Sequence, residues 1–197
     1  MPAAHRDLLV ELRREWRSTG RTAAARRAVT ALRTGSGPLV PAGVGDLADL
    51  VRALEPDGGL DQLHRARLVA LLLARSDRDP LLRRCLLQTL LPGIVSVARQ
   101  LRFGDGIADD PRAFLTDALA EAYELIESWA GQRRVYAAPD LLSALRCRMR
   151  RRLLAERSHR DELTDPPELA GVDEDDALVA RLCEDAQRGV TDVDLVY

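Results

Sequence analysis

Apolar residues along this chain recur in steps of three and four, the period of helices that each bury one face. Leu8, Leu9, Leu12 and Trp16 form a first stripe, which Ser18-Thr19-Gly20 interrupts. Ala25, Val29 and Leu32 form a second, opened by Arg21 or Thr22, so the pattern predicts a helical hairpin within residues 1–33. Residues 34–45 (TGSGPLVPAGVG) have the Gly and Pro content of a linker. Their glycines follow no strand and lack a phosphate-loop spacing, which argues against nucleotide binding. Asp46 is the expected cap of a short helix ending near Leu54, stopped by Pro56-Asp57-Gly58-Gly59. From Asp61 to Ala74 a further helix is expected to turn Leu63, Leu68, Leu71 and Leu72 inward. Asp79 then caps a longer helix with Pro80 at its first position, where a missing N–H costs nothing. Leu82, Leu86, Leu90, Ile94, Val97 and Leu101 carry its buried line, and Pro92-Gly93 predicts a kink.

Beyond a loop at 104–111, Phe114 to Trp129 gives the clearest helical signal. Leu115, Leu119, Ala122, Ile126 and Trp129 form its seam, while Asp117, Glu121, Glu124 and Glu127 lie elsewhere on its surface. A connector at 131–139 leads to Asp140, the expected cap of a helix reaching about Arg157. An acidic linker containing prolines follows at 164–173, and a last helix spans Asp175 to Arg188 before Gly189. No segment alternates like a strand. The reading is all-α: a hairpin at 1–33, a linker at 34–45, a helical bundle at 46–160 and an acidic tail at 161–197.

Composition agrees with helix and excludes disorder throughout, since 46% of the 197 residues are hydrophobic. Leu and Ala dominate while aromatic residues make up only 4%. No uninterrupted apolar run of membrane-spanning length is present, and Arg13, Arg14 and Arg17 interrupt any signal-peptide core. A cytoplasmic chain with no membrane role is the expectation. Three cysteines, Cys85, Cys147 and Cys183, are far apart and odd in number, which fits a reducing compartment rather than a disulfide frame.

Charge changes the picture more than composition does. The net value is −2, yet every basic residue is arginine and the signs are segregated. Residues 146–160 hold seven arginines against Glu156 alone, and residues 161–197 hold twelve acids against two arginines. Leu141, Leu142, Leu145, Met149 and Leu153 anchor one side of the arginine helix. Arg150 and Arg151 point away from them, and Arg146 and Arg148 lie on the shoulders. Arg152 falls near the apolar stripe and must snorkel or find an acid. Guanidinium groups on such a helix suit phosphate backbones, because each is a permanently charged, forked donor. Neutralisation by the acidic segment that follows is the alternative. His5, His64 and His159 have no partner at metal-ligand spacing, and no nucleophile motif or catalytic carboxylate pair stands out. Neither metal, cofactor nor enzymatic activity is expected.

The order of the helices adds a resemblance covering about residues 81–160. Leu91-Pro92-Gly93-Ile94-Val95-Ser96-Val97-Ala98-Arg99-Gln100-Leu101 resembles region 2.1 of bacterial RNA polymerase sigma factors of the sigma-70 type. Asp117-Ala118-Leu119-Ala120-Glu121-Ala122-Tyr123 is similar to region 2.2, with Ala120 in place of the usual glutamine. The resemblance implies that Asp117, Glu121, Tyr123 and Glu124 dock on the clamp helices of the polymerase β′ subunit. It equally implies that the next helix meets promoter DNA through Arg146, Arg148, Arg150 and Arg151, with Tyr136 stacking on an unpaired base. Leu141-Leu142 stands where that family commonly has Trp-Leu. Residues 176–197 resemble the lead-in to region 4, whose helix-turn-helix does not follow. These departures keep a second expectation open: a helical protein–protein adaptor or transcription regulator, with a regulatory protein as partner, that does not open promoters.

Overall fold

In a computed structural model, which describes residues 3–105 and 110–164, the chain is all-helical, with seven α-helices and no strand among the described residues. They are α1 (Ala3–Thr19), α2 (Ala23–Ser36), α3 (Leu47–Leu54), α4 (Gln62–Arg75), α5 (Pro80–Asp105), α6 (Pro111–Ser128) and α7 (Ala137–Thr164). A single 3-10 turn, Gly37–Leu39, follows α2. The final helix expected at 175–188 lies outside the described residues.

Aspartate starts four of these helices. Asp46 accepts from the Asp49 N–H at 2.9 Å and Asp61 from the His64 N–H at 2.7 Å. Asp79 accepts from the Leu81 N–H at 2.9 Å and Asp110 from the Arg112 N–H at 2.8 Å. In the last two cases proline takes the first helical position, so one orphan donor is absent and another is satisfied. The second Asp-Pro start places α6 three residues earlier than the seam at Phe114 indicated. Asp140, by contrast, is not a cap. It lies inside the first turn of α7, donating its N–H to the Tyr136 carbonyl at 3.0 Å.

Helices α5, α6 and α7 pack against one another in all three pairings, with α4 against α5 and α7. The buried line of α5 runs Leu82, Leu86, Leu90, Ile94, Val97 and Leu101. Its helical segment Pro80–Leu101 is long and apolar enough to cross a bilayer by composition, yet half of it is buried inside the protein. The helix continues through Pro92. Gly93 has a packing role there: a Cβ on it would fall 2.5 Å from Leu142 Cδ1, so the missing side chain lets α7 lie close to α5.

Trp16, Val29 and Leu32 of the hairpin belong to the same apolar cluster as Leu86, Ile126 and Met149. Gly20 joins the two parts: its carbonyl accepts from the Ala48 N–H at 3.2 Å, and a Cβ would press on Ala48 at 3.0 Å. Residues 34–45 are likewise part of the packed body, since Val40 and Val44 are buried and Arg33 donates to the carbonyls of Pro41 and Val44. Leu63 departs from its expected inward position; at 61% exposure it lies on the surface of the first turn of α4.

Candidate functional site

The charged surface of α6 and α7 gathers the residues singled out from sequence. Leu141, Leu145, Met149 and Leu153 are all buried, one per turn, and fix which way α7 faces. Arg146, Arg148, Arg150, Arg151 and Arg152 are consequently exposed to varying degrees.

Two of the expected polymerase-facing acids turn toward this same helix. Asp117 Oδ2 lies 2.9 Å from Arg152 Nη2, and Glu121 Oε2 lies 3.5 Å from Arg148 Nη1. Four residues forward on α6 match four residues back on α7, the relation of antiparallel neighbours. Arg152 also holds Glu156 at 3.0 Å on its own helix. Hydrogen bonding to Glu156 is the largest cause of its raised pKa; partial burial opposes the rise, and the charges of Asp117, Glu156 and Glu121 add to it. The guanidinium near the apolar stripe has thus found acids, as its position required.

The other sequence-selected groups divide. Tyr123 is half-buried, Glu124 is exposed, and Glu127 sits 3.8 Å from Arg83 of α5. Arg146 donates to Gln100 Oε1 at 2.5 Å, a tie to α5 that leaves its charge uncompensated. Arg150 and Arg151 make no ion pair among the described residues. Tyr136 stands at 68% exposure immediately before α7, beside exposed Val135. Behind it, the Arg134 guanidinium stacks 3.7 Å from the centre of the Trp129 ring and lies 3.9 Å from Asp140. Burial pushes the Asp140 carboxyl pKa up, and Arg134 offsets part of the rise.

The paired rows were missed in the sequence reading, although the signal was present. Asp117 and Glu121 are four apart, as are Arg148 and Arg152. Two helices with complementary charges at that spacing, joined by a short connector, predict mutual pairing across their interface. No group of three metal-ligating side chains occurs among the described residues. Comparison with protein-family models, curated proteins and solved structures finds no match.

Proposed function

We propose that this chain is a sigma-like transcription factor that binds core RNA polymerase and presents α7 to promoter DNA. The observation that supports this reading is the outward row of Arg146, Arg150 and Arg151 with an exposed Tyr136 at the head of the same helix. From Tyr136 to Arg151 a helix rises roughly 22 Å, a span of several phosphates along one strand. The arginines supply non-specific affinity, and the tyrosine supplies a face on which an unpaired base stacks. Glu124 and Tyr123 are the α6 groups most open to the β′ clamp helices, because Asp117 and Glu121 already face arginines.

That same pairing favours a second reading. With Asp117 and Glu121 engaged inside the molecule, an adaptor or regulator that binds protein without opening promoters uses the helical body alone.

Two measurements separate these readings. The first is co-purification with core polymerase followed by promoter-dependent transcription. The second is a salt titration of binding to duplex and bubble DNA. The transcription-factor reading expects preference for the bubble, lost in Tyr136→Ala. It also expects a log–log salt slope that falls by roughly 0.7 to 0.9 for each phosphate-contacting arginine removed. Polymerase capture without DNA binding at low salt favours the adaptor; failure of both rejects the transcription role.

A further inference from the structure

A cleft of about 480 Å³ opens where α1, α3 and the middle of α5 meet, and its lining includes no residue of α7. Its volume falls within the range of small-molecule sites. Trp16, Leu54 and Leu91 give it an apolar floor, and exposed Val10 extends that surface to the rim. Three guanidinium groups stand around it: Arg13 and Arg17, one turn apart on α1, and Arg52 on α3. Arg13 and Arg17 form no ion pair among the described residues, and Arg52 has only an exposed contact to Asp49 at 3.4 Å. Glu55 is the one acid in the lining, so the rim keeps a cationic surplus.

Two features of the floor are unusual for a merely packed surface. The Trp16 side chain is 95% removed from solvent, and its indole N–H has no acceptor. A buried donor left unmade costs about 1–3 kcal/mol, which leaves an unmet cost in the wall at Trp16. Across the cleft, Pro92 has no N–H to give the Gln88 carbonyl four residues earlier, and both residues line the cavity. An apolar body with polar groups at its edges is therefore what the cavity accommodates.

The geometry points to this cleft as a binding site for a small amphipathic carboxylate, its anionic head held by Arg13, Arg17 and Arg52 and its apolar body laid over Trp16 and Leu91. The site is independent of any role in transcription. Arginine suits the head because its planar fork matches the two carboxylate oxygens.

Decanoate titrated into the full chain tests the assignment, with the two tryptophan indole N–H resonances as reporters and a Trp129→Phe variant to tell them apart. Decanoate is expected to shift the Trp16 resonance saturably and leave that of Trp129 in place. Decanol, which lacks the charge, and acetate, which lacks the apolar body, are each expected to bind at least about ten-fold more weakly. The Arg13→Ala/Arg17→Ala variant alters exposed side chains and is expected to keep its melting temperature while losing about ten-fold in decanoate affinity. An unmoved Trp16 resonance at millimolar decanoate overturns the proposal. Equal binding of decanol, or undiminished binding by the double variant, overturns the assignment of a carboxylate head.

Discussion

Replacing Asp117 by Asn and Arg152 by Gln, singly and together, isolates one rung of the pairing between α6 and α7. The charged atoms lie 2.9 Å apart, with the side chains 41% and 45% exposed. At an effective dielectric of about 40 to 80 for such a site, the attraction is roughly 1.4–2.9 kcal/mol. Ordering two long side chains removes a large part of this, although Glu156 already restrains Arg152 and lowers that cost. The expected coupling energy is about 0.5–1 kcal/mol. Urea unfolding of the four proteins at low salt and at about 1 M salt measures it, since screening at the higher concentration acts over about 3 Å. Non-additivity near zero at low salt refutes the pairing as a stabilising contact. A coupling unchanged by salt refutes its electrostatic origin.

Two further outcomes follow from the packing. Gly58→Ala is expected to destabilise by about 2 kcal/mol or more: the added Cβ would fall 2.3 Å from the Arg52 carbonyl oxygen and 2.5 Å from that of Ala53, and backbone has little room to yield. A melting temperature equal to the parent's would contradict this. Burial pushes the Cys85 thiol up to about 12 from 9.0, with the Thr89 hydrogen bond opposing the rise. Above pH 9.0 the unfolded thiol ionises first, so this contribution to stability is fully present below that pH and is lost as pH rises toward 12. The slope is at most about 1.4 kcal/mol per pH unit. Cys85→Ala should flatten the alkaline limb of a stability–pH curve, and a native-state thiol titration should find Cys85 unreactive.

The all-α class was legible because helical periodicity is a local property, repeated over every long segment from Leu8 to Leu153. Capping was legible for the same reason at Asp46 and Asp79, where the side chain answers a donor two or three residues away. It was misread at Asp140, because an aspartate inside a first turn has the same sequence neighbours as one at a cap. Residues 34–45 were misread as a linker for a different reason. Val40 and Val44 are too sparse to show a period, and their burial depends on the shape that α2 and α3 make around them. Leu63 is the converse, an apolar residue that helical steps of about 100° place opposite Leu72, so it faces outward while Leu68 and Leu72 are buried. The arginine helix was oriented correctly by its leucines. Its partners are signalled only by the matched four-residue spacing of Asp117 and Glu121 with Arg148 and Arg152, a cue that becomes specific once α6 and α7 are known to pack as antiparallel neighbours.

The same two rungs discriminate between alignments of the helices. The apolar seam of α7, Leu141, Leu145, Met149 and Leu153, repeats once per turn, so its pattern alone marks the alignment less sharply than Leu142 over Gly93 does. A one-turn slide that brings Glu121 opposite Arg152 also sets Asp117 opposite Glu156, and two carboxylates meet. The opposite slide leaves Glu121 facing Ala144 and puts Arg152 beside Ala113, with Glu156 of its own helix as its remaining partner. Only the observed alignment satisfies both acids and both arginines at once. The charges therefore reinforce the register that packing sets, bringing like charges together in one wrong register and forfeiting pairs in the other.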